Sequence, residues 1–219
     1  MFRLPVRDVR FFTPDIFELS LACADYAFVA GQCAVLLDDN GDSRPYSISS
    51  SPEEPVLRFL IRRFSAGAVS NWLAERSVGD TVQVSLPFGG FRPSECNKSA
   101  VFIATGVGIA PFLSVLRSSS FAGRNVHCFY GVRVLEDAVP VPTLRNRVNL
   151  RLAVSREKTE DHFYGRVSGL LETVDLPDDA DYFICGYDAM IDEVFDLLRA
   201  RGIPARRLHS EVFFNTERK

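Results

Sequence analysis

No apolar run in the 219 residues approaches the ~20 that a helix needs to cross a bilayer. The five cysteines (Cys23, Cys33, Cys96, Cys128 and Cys185) are odd in number, scattered, and never spaced as CxxC. Neither a disulfide framework nor a zinc or iron–sulfur site is therefore indicated. The three histidines are equally scattered and outline no ligand pattern. A formal net charge of −3 leaves no global cationic field to recruit nucleic acid or acidic lipid. The opening stretch MFRLPVRDVRFFTPD lacks an apolar signal core and a small-residue cleavage site, which argues against export. Internal repeats and low-complexity tracts are missing as well. What remains is an ordinary globular composition, 47% hydrophobic and 24% charged, long enough for one large domain or two small ones. A reduced, cytoplasmic setting is expected.

The two halves of the chain follow different grammars. Up to about residue 91, short strand patterns alternate with turn chemistry. VLRFLIRRF (56–64) sets Leu57, Phe59 and Ile61 against Arg58 and Arg62, the two-residue period of a half-buried strand. DTVQVSL (80–86) alternates similarly, and strands at this spacing predict a small antiparallel barrel or sandwich. Within this half, SAGAVSNWLAER (65–76) carries Val69, Trp72 and Leu73 at helical spacing. RPSECNKS (92–99) reads as the boundary, predicting one domain over 1–96 and another over 97–219. Beyond it, AVFIAT (100–105), VHCFYGV (126–132), VNLRLAV (148–154) and DYFICG (181–186) are apolar strand patterns separated by helical ones. That alternation predicts a parallel α/β sheet. YDAMIDEVFDLLRARG (187–202) aligns Met190, Val194, Leu197 and Leu198 and ends in glycine, as a helix does, and RRLHSEVFF (206–214) reads as a last strand.

Three stretches suggest chemistry, each with a plainer alternative. FIATGVGIAPFLSVL (102–116) is a strand, a glycine turn and a helix, a geometry that brings backbone N–H groups to a pyrophosphate or simply closes a tight turn. GAVS (67–70) is a second helix start, fit for a phosphate or for an ordinary N-cap. RPYSISS (44–50) offers an arginine fork for phosphate, a tyrosine face for a planar ring and serine hydroxyls for ring nitrogens. Together these suit a dinucleotide with a large aromatic ring, such as a flavin; the alternative is a surface ion pair beside a serine-rich turn.

Taken in order, FVAGQ (28–32), RPYSISS, GAVSNWL, VGDTVQVSLPFGGF, ATGVGIAPF, YGVR (130–133), CGYDAM (185–190) and EVFF (211–214) resemble the ferredoxin–NADP reductase superfamily over nearly the whole chain. The resemblance implies a six-stranded antiparallel flavin barrel followed by a Rossmann-like parallel α/β domain that binds NAD(P)H. Carried over residue by residue, it implies that Arg44 meets the flavin pyrophosphate, Tyr46 stacks on the ring, and Ser47 lies near its hydride-accepting nitrogen. Pro45 and Ile61 join that site, and Gly67, Ala68, Val69 and Ser70 hold the pyrophosphate from the helix end. Thr105, Gly106 and Gly108 would receive the nicotinamide nucleotide. Cys185 and Glu211 would flank its ring, with Ser47 the catalytic set, and Phe213 would cover the flavin's other face. Ser155 and Arg156, helped by Lys158, Tyr164 and Arg166, match relatives that take the 2′-phosphate, so NADPH is expected ahead of NADH. A shifted loop would instead let Glu157 accept the ribose hydroxyl of NADH. Val107 and Ala30 depart from the usual threonine or glycine and proline.

The implied activity is hydride transfer from NADPH to bound FAD, expected ahead of FMN, then release of single electrons to a separate carrier. That carrier would be ferredoxin, flavodoxin or an oxygenase component, with electron flow in reverse as a variant. Arg58, Arg62 and Arg63 would offer a cationic docking surface, or serve only as solvated strand residues. The resemblance leaves two other roles open, an NAD(P)H:flavin reductase with dissociable flavin and a flavin-binding electron-transfer subunit of a larger complex. A monomer without membrane span, metal or nucleic-acid partner is expected.

Overall fold

The computed structural model describes residues 1–23, 25–93 and 99–212. The chain forms two compact units, one of residues 1–94 with 110–122, the other of residues 95–109 with 123–219. In the first, six antiparallel strands, β1 (Phe2–Phe11), β2 (Ile16–Ala22), β3 (Cys33–Leu37), β4 (Ser43–Ser47), β5 (Val56–Arg62) and β6 (Thr81–Val84), lie in the order β4-β3-β6-β1-β2-β5. The two edges then meet. Ile48 bridges Phe59, and the Ser49 N–H donates to the Arg58 carbonyl at 2.8 Å, joining the end of β4 to β5. Closure removes both open edges. Alternate apolar residues fill the interior, among them Leu19, Leu36, Leu57, Phe59 and Ile61, all essentially unexposed.

Helix α1 (Ala68–Ala74) follows β5 and buries Val69 and Leu73, with Trp72 partly buried against the same core. Helix α2 (Ala110–Arg117) also belongs to this first unit, although it is the continuation of the glycine turn. Polar groups explain why. The Ser114 hydroxyl donates to the Ser50 carbonyl at 2.6 Å, and the Arg117 guanidinium to the Ser49 carbonyl at 2.8 Å. Phe112 meets Phe91 edge to face with ring centres 5.4 Å apart.

The second unit is a six-stranded parallel sheet of β7 (Ser99–Thr105), β8 (Val126–Val132), β9 (Asn149–Val154), β10 (Phe163–Tyr164), β11 (Ala180–Gly186) and β12 (Leu208–Val212). The order is β10-β9-β8-β7-β11-β12, so the chain winds outward in one direction from β7 and in the other from β11. In such sheets the crevice beyond the strands' C-terminal ends at that reversal is where ligands bind. Helices α3 (Val141–Leu144), α4 (Val167–Glu172) and α5 (Asp188–Ala200) complete the unit. Val167, Leu170 and Leu171 of α4 and Met190, Val194 and Leu198 of α5 pack with Val101, Ile103 and Ala153 in one apolar core. No described helix is long and apolar enough to cross a membrane.

Candidate functional site

On the barrel, β4 carries most of the candidate side chains. The Arg44 guanidinium is exposed and, among the described residues, donates only to its neighbour's carbonyl, that of Ser43, at 2.7 Å. Tyr46 is half-buried against the barrel core, and burial pushes its phenol well above the usual range despite the nearby Arg44 cation. Ser47 is buried opposite Cys33 in the ladder, its hydroxyl 3.7 Å from the Cys33 sulfur. Pro45 lies between them, half-buried. Ile61 is 1% exposed inside the barrel, where it is a packing residue and touches no open surface.

Gly67 precedes α1, and the first N–H groups of that helix, those of Ala68, Val69 and Ser70, have no intrahelical partner by geometry. The Ser70 hydroxyl turns back to donate to the Gly67 carbonyl at 3.2 Å, so it caps no N–H group. Nearby, Arg58 is committed to an ion pair with Glu54, and the Arg63 guanidinium donates to the Asn71 side chain at 3.2 Å.

At the reversal of the parallel sheet, β7 ends in Thr105 and the chain enters a 3₁₀ turn, Gly106–Ile109. Gly106 has φ +53°, and a β-carbon there would meet nothing within 4 Å among the described residues, so this side of the turn is open to them. Gly108 is bare for another reason: a β-carbon would lie 2.6 Å from the Cys185 carbonyl oxygen. The turn rests directly on the end of β11. Gly186 repeats the device, since its β-carbon would overlap the Thr105 hydroxyl and approach Met190 Cε to 2.6 Å. The Thr105 Oγ1 atom is buried there without a hydrogen-bond partner among the described residues. From β8, the Tyr130 phenol donates to the Gly106 carbonyl at 3.0 Å and pins the turn.

The polar candidates after β9 gather at one strand end. The Ser155 and Arg156 N–H groups donate to the carbonyls of Val132 and Arg133, at 3.0 and 2.8 Å, leaving the Arg156 side chain exposed. β10 sets Tyr164 beside Val154, and Lys158 Nζ lies 5.4 Å from the centre of the exposed Tyr164 ring. Arg166 stands apart at the start of α4, reaching Glu193 at 4.0 Å. Glu157 is engaged, its carboxylate accepting the Leu135 N–H at 2.8 Å. Cys185 and Glu211 are ladder partners on β11 and β12, with Cys185 fully buried and Glu211 half-exposed. Phe213 lies outside the described residues.

Some contributors carried no obvious signal. Tyr130 lies within the YGVR motif, which gave it no role of its own, on a strand that also carries His127. Glu18, within the apolar IFELSLA of β2, approaches Arg58 at 3.7 Å and Arg117 at 3.9 Å. Burial pushes its carboxyl up, and the Arg117 and Arg58 cations pull it part of the way back. Glu53 accepts hydrogen bonds from the Ser118 and Ser119 hydroxyls at 3.1 and 2.9 Å. Slight burial raises its carboxyl, and these donors outweigh that and hold it below the usual range.

Residues 6–92 match the oxidoreductase FAD-binding domain family and residues 102–196 the oxidoreductase NAD-binding domain family. Ferredoxin–NADP reductase B of Sorangium cellulosum is 30% identical over 94% of this chain and 94% of its own. The chain belongs to the ferredoxin–NADP reductase superfamily. The reductase component of propane 2-monooxygenase from Rhodococcus jostii is a further relative of the superfamily member, 30% identical over 96% of this chain. The chain spans only 65% of that protein's length. A solved ferredoxin NADP⁺ reductase from Neisseria gonorrhoeae, with FAD and NADP bound, shares the fold at a TM-score of 0.86 and 23% identity, over 96% of this chain and 97% of that one.

The residues present fit both nucleotides of the superfamily. An exposed, unsatisfied arginine fork beside a half-buried tyrosine suits a phosphate-bearing aromatic group. The orphaned Thr105 hydroxyl and the open side of Gly106 offer a donor and close backbone approach at the sheet's reversal.

Proposed function

We propose that the chain is an NADPH oxidoreductase that carries FAD and delivers electrons singly to a separate protein acceptor, ferredoxin, flavodoxin or an oxygenase component. When bound, FAD supplies two-electron chemistry toward NADPH and one-electron chemistry toward the acceptor. The chain's own residues bind and align. Arg44 holds the flavin pyrophosphate with the N–H groups of residues 68–70, Tyr46 packs on the ring, and Ser47 presents a hydroxyl at its reactive edge. Pro45 shapes the strand, and Ile61 supports it from within. The Thr105–Gly108 turn receives the nicotinamide nucleotide, with Cys185 and Glu211 behind and beside its ring. Glu211 balances charge or moves protons, and Cys185, being buried, acts through its small volume. Alignment of this kind is the protein's main contribution to hydride transfer.

The observation that carries this reading is the pairing in one chain of β4, with its arginine, tyrosine and serine, and a glycine turn at the reversal of a parallel sheet. Two functional domains are assigned on either side of residues 96 and 97, a division that falls between the two matched segments. For the nucleotide, Ser155, Arg156, Lys158 and Tyr164 share one strand end, and Glu157 is occupied by Leu135; both favour NADPH over NADH. Relatives that are electron-transfer components of dioxygenases favour an oxygenase component as acceptor. A cytoplasmic site is consistent with the four described cysteines, all free.

An absorbance spectrum of the purified protein, followed by anaerobic titration with NADPH and with NADH, tests the reading. A stoichiometric yellow chromophore bleached preferentially by NADPH supports it. A colourless protein that oxidises NAD(P)H only with added flavin would replace it with a flavin reductase. Arg156→Ala should raise KM for NADPH far more than KM for NADH, and an equal rise in both would remove the 2′-phosphate assignment.

A further inference from the structure

The parallel sheet has a place for one more strand. β9 runs from Asn149 to Val154, but β10 pairs only with Ala153 and Val154. Among the described residues, no strand covers the same side of residues 149–152. A cavity of about 510 Å³ lies here, and its walls fix its position. Leu150 and Leu152 point to one face of the sheet and Arg151 to the other, yet all three line the same space. Leu170 of α4 and Arg145 at the end of α3 line it too. A space touched by both faces of a single strand lies along that strand's edge.

The backbone along this edge is turned outward. Gly165 N–H donates to the Val154 carbonyl at 2.9 Å, so Val154 directs its polar groups away from β8. By the two-residue period, Leu152 and Leu150 direct theirs the same way; the Phe163–Ala153 register pairs the Leu152 carbonyl with the Phe163 N–H, which leaves the Leu152 N–H and both polar groups of Leu150 toward the cavity. The charge of the walls is uneven: Arg145 and Arg151 stand against one carboxylate, that of Asp161. Neither guanidinium has an ion-pair or hydrogen-bond partner among the described residues.

We infer that this edge of β9 is a docking slot for an extended acidic segment of a partner protein, added as a strand beside residues 149–152. Backbone pairing with Leu150 and Leu152 supplies attachment, apolar contact with Leu150, Leu152 and Leu170 fills the slot, and the two arginines select for carboxylates. The inference does not depend on the proposed redox activity, because the slot is built from β9 and its flanking helices alone.

The test uses the flavin-loaded full chain and a fluorescein-labelled peptide, Thr-Glu-Val-Glu-Val-Glu-Thr, with the lysine-for-glutamate peptide as control. Anisotropy should show at least tenfold tighter binding of the acidic peptide, and hydrogen exchange should slow at the amides of Leu150 and Leu152. N-methylation of alternate peptide amides should abolish binding, as strand addition requires. The double variant Arg145→Glu, Arg151→Glu should reverse the preference between the two peptides while leaving NADPH oxidation with ferricyanide unchanged. Equal affinity for both peptides, no binding by either, or protection confined to β12 would overturn the inference; the arginines would then be charges that keep a bare edge from pairing. Loss of NADPH oxidation in the unaltered chain would count against the redox reading and leave the peptide result standing.

Discussion

The barrel presents its candidate residues as side chains, whereas the parallel sheet presents bare backbone. On β4 an exposed arginine, a half-buried tyrosine and a buried serine stand within four positions, and none of them is needed to close the barrel, which Ile48 and Phe59 do. At the end of β7, the bare positions are packing requirements: Gly108 lacks a β-carbon because Cys185 lies against it, and Gly186 because Thr105 and Met190 do. A site made of side chains can lose function without losing its fold. A site made of close backbone contact cannot.

The sharpest way to break this contrast is to add single methyl groups. Gly186→Ala and Gly108→Ala should each destabilise the protein by about 1–3 kcal/mol, and by more where backbone must shift, because the added carbon meets backbone or buried atoms. Thermal unfolding of the two variants measures it, and an unchanged melting temperature in either would mean that the turn does not rest on β11. Gly106→Ala should behave differently. Its β-carbon meets open space, so only the left-handed backbone opposes it, costing about 1–2 kcal/mol. Its larger effect should be a raised KM for the nicotinamide nucleotide.

Arg44→Ala sharpens the other side. Loss of one charge-assisted contact should weaken flavin binding by about 1.5–3 kcal/mol, roughly ten- to a hundredfold in Kd. The apoprotein should unfold at the same temperature as before, since among the described residues Arg44 bonds only to its neighbour's carbonyl. Titration of apoprotein with FAD, alongside its melting curve, separates the two effects. An apoprotein that melted several degrees lower would make Arg44 a structural residue and erase the contrast.

Much of both folds was legible because period and punctuation report them directly: VLRFLIRRF alternates as a strand in the barrel and AVFIATG as a buried parallel strand ending at its turn. RPYS was legible as chemistry because side chains carry it. The reason for Gly108 was not, since a glycine spacing looks the same whether the missing β-carbon would meet a ligand or the carbonyl of Cys185, 77 positions away in the chain. The assignment of α2 was hidden for a related reason. Its apolar sequence fits either unit, and what fixes it are hydrogen bonds from Ser114 and Arg117 to backbone carbonyls of Ser50 and Ser49, which leave no mark on composition. The resemblance brought Ile61 into the flavin site, and the strand's alternation turns its side chain into the barrel, where it is 1% exposed.

Arg117 offers a finer separation, because it lies in the barrel unit and bears on the loop just past Ser47 without belonging to either candidate site. It donates to the Ser49 carbonyl and approaches Glu18, whose side chain is only 18% exposed. Burial raises the Glu18 carboxyl above its ordinary 4.5, so the folded protein holds this proton at pH values where the unfolded chain has released it. The group's contribution to stability is therefore complete below about pH 4.5 and is lost as pH rises through the folded value. Arg117→Met removes the strongest of the cations that restrain this rise, so the Glu18 carboxyl should climb further. The variant should then be destabilised by about 1 kcal/mol near neutral pH, with the deficit shrinking as pH falls and Glu18 gains its proton. Urea unfolding of both proteins at pH 5 and pH 8 measures the difference directly. A deficit equal at the two pH values would assign the effect of Arg117 to its hydrogen bond with Ser49 alone, and would leave Glu18 to Arg58.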